Sequence, residues 1–180
     1  MNKSTRLALL DAAATTLAQK PGASLNDISK SAGVGRATLY RYFPNRDELL
    51  RELTIEAYER SEQAFAAVRV QGKSSVETLR DLIAALVPLG DRYHFLLSAP
   101  TFEDDPQIAR FYEQQSLSWE ELSEALKCEG VVAADVPTAW VVAAIEGLIY
   151  TVWASVHDGY IARRDAADLV FRTLINGLSS

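Results

Sequence analysis

Residues 24–49, Ser-Leu-Asn-Asp-Ile-Ser-Lys-Ser-Ala-Gly-Val-Gly-Arg-Ala-Thr-Leu-Tyr-Arg-Tyr-Phe-Pro-Asn-Arg-Asp-Glu-Leu, read as two short helices joined by a glycine turn. Ser24 is a good N-cap, because its hydroxyl can accept an orphan backbone N–H, and Asp27 adds negative charge to the first turn. Leu25, Ile28 and Ala32 fall on one helical face. Gly33 can take the left-handed conformation that a tight turn after a helix needs, and Val34 follows as an apolar plug. Gly35 opens the second helix, in which Leu39 and Phe43 face inward while Ala37, Thr38 and Arg41 point outward, flanked by Tyr40 and Tyr42. Pro44 ends it, since the residue before a proline avoids the α region. The spacing predicts a helix-turn-helix over 24–43 whose second helix is free to enter a major groove.

Two kinds of DNA contact follow from this placement. Ser24, Tyr40, Tyr42 and Arg46 are placed to hold phosphates, with hydroxyls along the two helices and a guanidinium at the next helix start, where the dipole favours an anion. Arg36, Ala37, Thr38 and Arg41 are the candidates for base edges: a guanidinium suits guanine, and a methyl group suits thymine. The competing reading of Tyr40 and Tyr42 is core packing. On an ideal wheel Arg36 also lies off the outward centre and relies on its length.

The run Ala-Gly-Val-Gly-Arg-Ala-Thr-Leu-Tyr-Arg-Tyr-Phe-Pro-Asn-Arg-Asp-Glu-Leu-Leu at 32–50 resembles the signature of the tetracycline-repressor (TetR) family. The likeness covers roughly a third of the chain, and beyond it the match is one of length and helical layout. It implies a DNA-binding transcriptional regulator that dimerises through its last two long helices, most commonly a repressor released by a small molecule. Arg46 stands where that family usually has lysine, Tyr42 where histidine is common, and Asn26 where a basic or hydroxyl residue can stand.

Charge agrees with this polarity. Residues 1–50 carry seven Lys/Arg and four Asp/Glu (+3), and the other 130 carry eleven and twenty (−9), which sums to the formal net charge of −6. The N-terminal end is therefore expected to face phosphates. Cys128 is the single cysteine, which excludes an internal disulfide framework and suits a reducing cytoplasm; a buried or half-buried place is expected for it. The start of the chain lacks the apolar run of a secretion signal. The apolar stretch 136–157 holds one charge, Glu146, whose cost at the centre of a spanning helix, about 2.5–3.5 kcal/mol, favours instead a helix buried on all sides in a soluble assembly.

Periodicity predicts an all-α chain of about nine helices: a head at 1–50, and a helical ligand-binding and dimerisation body at 51–180 joined to it by a long helix over 46–70. Helix 1 spans about 4–19 and is expected to stack Leu7, Leu10, Ala14 and Leu17 into the head. Asn45 caps the long helix, which Gln71-Gly72-Lys73 closes. Further helices are expected at about 75–87, 89–98, 105–129, 137–158 and 162–178. A dimer face is expected from Trp140, Ala144, Gly147 and Thr151 on the penultimate helix, with Val170, Phe171, Leu174 and Leu178 on the last.

Aromatic residues concentrate at 93–119 and 140–153, which suggests a cavity for a mostly apolar, aromatic or cationic ligand. Phe95, Phe102, Tyr112, Trp119, Tyr150 and Trp153 are its candidate walls and Glu146 its polar anchor. The competing reading makes these residues core. No enzyme constellation stands out: two histidines, no metal-binding His-Glu-x-x-His and no phosphate-binding glycine loop, so neither cofactor nor metal is expected. The partners expected are a double-stranded DNA operator, a second copy of the chain and a small effector. A dimer that answers to a protein partner or to nothing, or an activator, remains the alternative.

Overall fold

The computed structural model describes residues 3–68, 72–99, 102 and 104–178, and among them only helices and connecting turns occur. Helix α1 spans Lys3–Gln19, α2 Leu25–Ser31, α3 Arg36–Tyr42, α4 Arg46–Val68, α5 Ser75–Leu86, α6 the single turn Gly90–Tyr93, α7 Pro106–Cys128, α8 Thr138–His157 and α9 Arg163–Leu178. The expected close of α4 at Val70 and Gln71 lies outside the described residues.

Two apolar cores organise these helices. The head core gathers Leu9, Leu10, Ala13, Ala14 and Leu17 of α1, Leu25 and Ile28 of α2, Leu39 and Phe43, and the first turns of α4 through Leu53. Leu7, expected inside, is 53% exposed, because it lies at the rim of the buried arc of α1 near the helix start. The body core joins the end of α4 to α5, α7, α8 and α9 around Ile83, Trp119, Leu126, Val141 and Ile145.

Local chemistry sets the helix ends. Ser24 and Asp27 form a reciprocal capping box at α2, and Ser74 with Glu77 does the same at α5. Asn45 accepts the Glu48 N–H at 2.8 Å, as expected for α4. Asp105 accepts the N–H groups of Gln107 and Ile108 just ahead of Pro106, a cap that its sequence position allows. Gly33 turns the chain out of α2 at φ 67°, in the left-handed region.

The region expected as one helix over 89–98 is broken. A 3-10 turn at Val87–Leu89, the α6 turn and a second 3-10 stretch at His94–Ser98 replace it. Pro88 removes a backbone donor and the close approach at Gly90 bends the path. A Cβ on Gly90 would lie 2.3 Å from Trp153 Cδ1, so only glycine lets α8 pack there. The bend carries Phe95 out of the body and into the head core.

Helix α8 is apolar and long enough to cross a membrane by length and composition, with a mean hydropathy of 1.6. In the single chain one side of it is buried and the other is open. Within one protomer Val141, Ile145, Ile149 and Val152 pack inward, while Gly147, Tyr150, Thr151 and Ala154 stay exposed and Trp140 is 63% exposed. Cys128 is exposed too, at the last turn of α7.

Candidate functional site

The first candidate surface is α3 and its flanks. Leu39 and Phe43 anchor the helix in the head core, which leaves Arg36, Ala37, Tyr40 and Arg41 exposed and Thr38 half-buried. Arg36 lies over the Tyr40 ring at 6.0 Å and Arg41 over the Tyr42 ring at 5.7 Å. Neither guanidinium has a carboxylate partner among the described residues, so both can meet an anion or a base edge. Tyr42 divides its roles, since its ring packs on the head core while half-buried.

Two expected phosphate contacts are otherwise engaged. The backbone N–H and the hydroxyl of Ser24 both donate to the Asp27 carboxylate, at 2.9 and 2.8 Å, and its Oγ accepts the Asp27 N–H. No Ser24 donor is left for a phosphate in this arrangement, and the Ser24 N–H in turn holds the Asp27 carboxyl below its ordinary range. Arg46 reaches back across the head, where its guanidinium donates to the carbonyls of Ala23 (2.5 Å) and Pro21 (2.6 Å). It ties the loop between α1 and α2 to the start of α4. The sequence position alone could not show this, because the loop carbonyls are more than twenty residues away.

The second candidate is a cavity of about 720 Å³ in the body, within the range that suits small organic ligands. Phe102, Tyr112, Trp119, Glu146, Tyr150 and Trp153, all expected from the sequence, line it. Phe95 does not, because it plugs the head core. Sequence reading missed the contribution of α4: Thr54, Ala57, Tyr58 and Ser61 form one wall. Their spacing of three to four residues places small and polar groups on one helical face, a signal available in the sequence but read only as a connector. Leu86, Leu89, Tyr93 and Leu96 close the floor, and Gln115 donates to Ser61 Oγ at 3.0 Å.

The electrostatics centre on Glu146. Its carboxylate has no hydrogen-bond or ion-pair partner among the described residues, and burial raises its pKa above the ordinary value. Tyr58 and Tyr150 lie close enough to feel it; their hydroxyls are pushed up by burial first and by Glu146 second. The indole N–H groups of Trp119 and Trp153 are buried without an acceptor among the described residues. An unpaired carboxylate walled by aromatic faces is suited to a cation, which supplies the missing counter-charge while the rings attract it through their quadrupoles.

On the expected dimer face, Trp140, Gly147 and Thr151 are exposed and Ala144 is half-buried. Val170, Phe171 and Leu174 are buried inside the protomer, packed on the body core, so they are unavailable to a partner. The exposed face of α9 instead carries Leu169, Arg172, Thr173 and Asn176. The side chain of Leu178 lies outside the described residues.

The family model described as "Bacterial regulatory proteins, tetR family" matches residues 9–53, which is the head just described. The match extends beyond the head: the chain is 29% identical over 174 residues to the HTH-type transcriptional repressor LfrR of Mycolicibacterium smegmatis, covering 97% of this chain and 90% of LfrR. The N-terminal head of this chain carries the tetR-family signature. The chain is a DNA-binding transcriptional regulator. The HTH-type transcriptional regulator NfxB of Pseudomonas aeruginosa is a more distant relative, 24% identical with 96% and 93% of the two chains covered. Among solved structures, the crystal structure of LfrR in complex with proflavine superposes with a TM-score of 0.79 over 98% of both chains. The fatty acid degradation regulator FadR from Bacillus halodurans has the same fold, with a TM-score of 0.77 at 20% identity over 97% and 96% of the chains.

Proposed function

We propose that this regulator is a cytoplasmic homodimeric repressor, held on a palindromic operator and released when an aromatic cation fills the body cavity. The division of labour is a DNA-reading head at 1–50 and a ligand-binding and dimerisation body at 51–180. The observation that carries the ligand class is Glu146, a half-buried carboxylate with no hydrogen-bond or ion-pair partner among the described residues, set among Tyr58, Tyr112, Tyr150 and the two tryptophans. That LfrR is a repressor and has been crystallised with proflavine, a planar aromatic cation, supports the same reading. The dimer follows from α8, whose outer face of Trp140, Gly147, Thr151 and Ala154 is apolar, mostly small and uncovered in one protomer.

Arg36, Ala37, Thr38 and Arg41 are assigned to base edges and Tyr40 and Tyr42 to phosphates. Arg46 and Ser24 shape the head from which these residues project. Release follows from linkage: a ligand that prefers one head spacing draws the dimer toward it and away from an operator that prefers another.

Proflavine titration followed by its own fluorescence tests the ligand assignment. The expected result is saturable binding, weakened roughly 10- to 100-fold by Glu146→Gln, the loss of a charged partner worth about 1.5–3 kcal/mol. Binding that is absent, or equal in the Glu146→Gln variant, would remove the cation assignment.

A further inference from the structure

The short segment around α6 touches three parts of the molecule within four residues. Tyr93 lines the cavity and is only 1% exposed, while Phe95 is inserted into the head core. Arg92, between the head and the cavity wall, engages all of its guanidinium edges. Its Nε donates to Tyr93 Oη at 3.0 Å, its Nη1 to Asp11 of α1 at 2.7 Å and its Nη2 to Glu56 of α4 at 3.1 Å. A planar guanidinium has a fixed fork, so its three partners cannot be shifted independently. One side chain thus joins a wall residue of the cavity, the helix connecting head to body, and the first helix of the head.

We propose that Arg92 is the positioning residue that couples cavity occupancy to head orientation, through a clamp on Asp11 of the head and Glu56 of α4. The inference rests on the reading of the cavity as the effector site. A ligand that presses on Tyr93 displaces the hydroxyl that Arg92 holds, and the fork transmits the displacement to α1 and α4 together. Phe95 gives the segment a second, apolar grip on the head, which fixes the pivot. In the absence of ligand the clamp holds each head in a single orientation, and so sets the spacing between the two recognition helices of a dimer.

Asp11→Asn tests this, because the Asp11 side chain is 70% exposed and its loss leaves the Arg92–Glu56 pair and the head core untouched. The first measurement is the proflavine affinity of the free protein and of the protein bound to an operator recovered from random DNA by selection. In the parent the two affinities should differ within the roughly 5- to 150-fold range of allosteric couplings. In Asp11→Asn the affinity of the free protein should stay within about 3-fold of the parent while the ratio falls toward one. An unchanged ratio would overturn the clamp.

The second measurement uses no ligand: binding to the operator and to versions with the half-sites one base pair closer or farther apart. The parent should reject the altered spacings, and Asp11→Asn and Arg92→Gln should lose most of that discrimination. Full retention in both variants overturns the clamp. If the parent itself shows a proflavine ratio of one, the effector reading fails and the spacing result alone decides on the clamp. A merely structural role would lower affinity for every spacing alike.

Discussion

Glu146 gives the cavity opposite pH responses for stability and for ligand binding. Burial raises its folded pKa above the ordinary carboxyl value of 4.5, so the folded chain prefers the protonated form. The stability this contributes is fully present below the unfolded value and is lost as pH rises through the folded one. Glu146→Gln should therefore be more stable than the parent at neutral pH, with the difference vanishing below about pH 4, in urea melts across a pH series. A variant less stable than the parent at pH 7 would contradict the desolvated, unpartnered carboxylate. Cation binding needs the ionised form, so proflavine affinity should fall with pH as the carboxyl protonates. At Gly90 the constraint is steric. Gly90→Ala forces Trp153 out of its place and should cost about 1–3 kcal/mol, the usual penalty of overpacking, and should also weaken proflavine binding. Such positions are hard to read in a sequence: a glycine beside a proline suggests a turn, and only the fold shows that an indole from α8 occupies the space a methyl group would need.

Among the elements, α2 and α3 were the most legible, because capping, glycine turn, apolar spacing and proline stop all agree over twenty residues. What remained hidden were the partners of polar side chains. Ser24 and Arg46 occupy places that suggest phosphate contacts, yet each is already hydrogen-bonded within the head, to Asp27 and to the carbonyls of Ala23 and Pro21. Ser24→Ala is accordingly expected to lower stability by about 1 kcal/mol in the absence of any DNA, measured by thermal or urea unfolding. If unfolding is unchanged and operator affinity alone drops, the cap assignment is wrong and the phosphate assignment returns. The segment after α5 was the least legible. Its apolar periodicity looked like a ten-residue helix, but Pro88, the tight contact at Gly90 and the pull of the head core on Phe95 divide it into three short pieces. For the same reason Phe95 was assigned to the cavity and Tyr58 was missed: periodicity shows that a face is apolar, not which of two cores receives it.

At the scale of the whole molecule, the all-α fold and the likeness to tetR-family regulators were legible and the identity of buried faces was not. Val170, Phe171 and Leu174 are buried by their own chain, so the surface left for a partner lies on α8 and the outer side of α9. Gly147→Arg, on an exposed stretch of α8 where a Cβ meets no neighbour among the described residues, should leave each chain folded and shift sedimentation from dimer to monomer. Operator affinity should fall with it, because one recognition helix reads too few bases to hold a site alone. A Gly147→Arg protein that remains dimeric would move the interface elsewhere.

The most direct test of the account is selection of binding sites from random double-stranded DNA with the full-length protein, read together with the stoichiometry on the enriched site. Enrichment of an inverted repeat bound by two chains, with half-sites about one helical turn apart or a multiple of it and with base preference relaxed by Arg36→Ala, is the predicted result. Enrichment of an asymmetric site bound by one chain, or base preferences that Arg36, Thr38 and Arg41 substitutions leave unchanged, would contradict it.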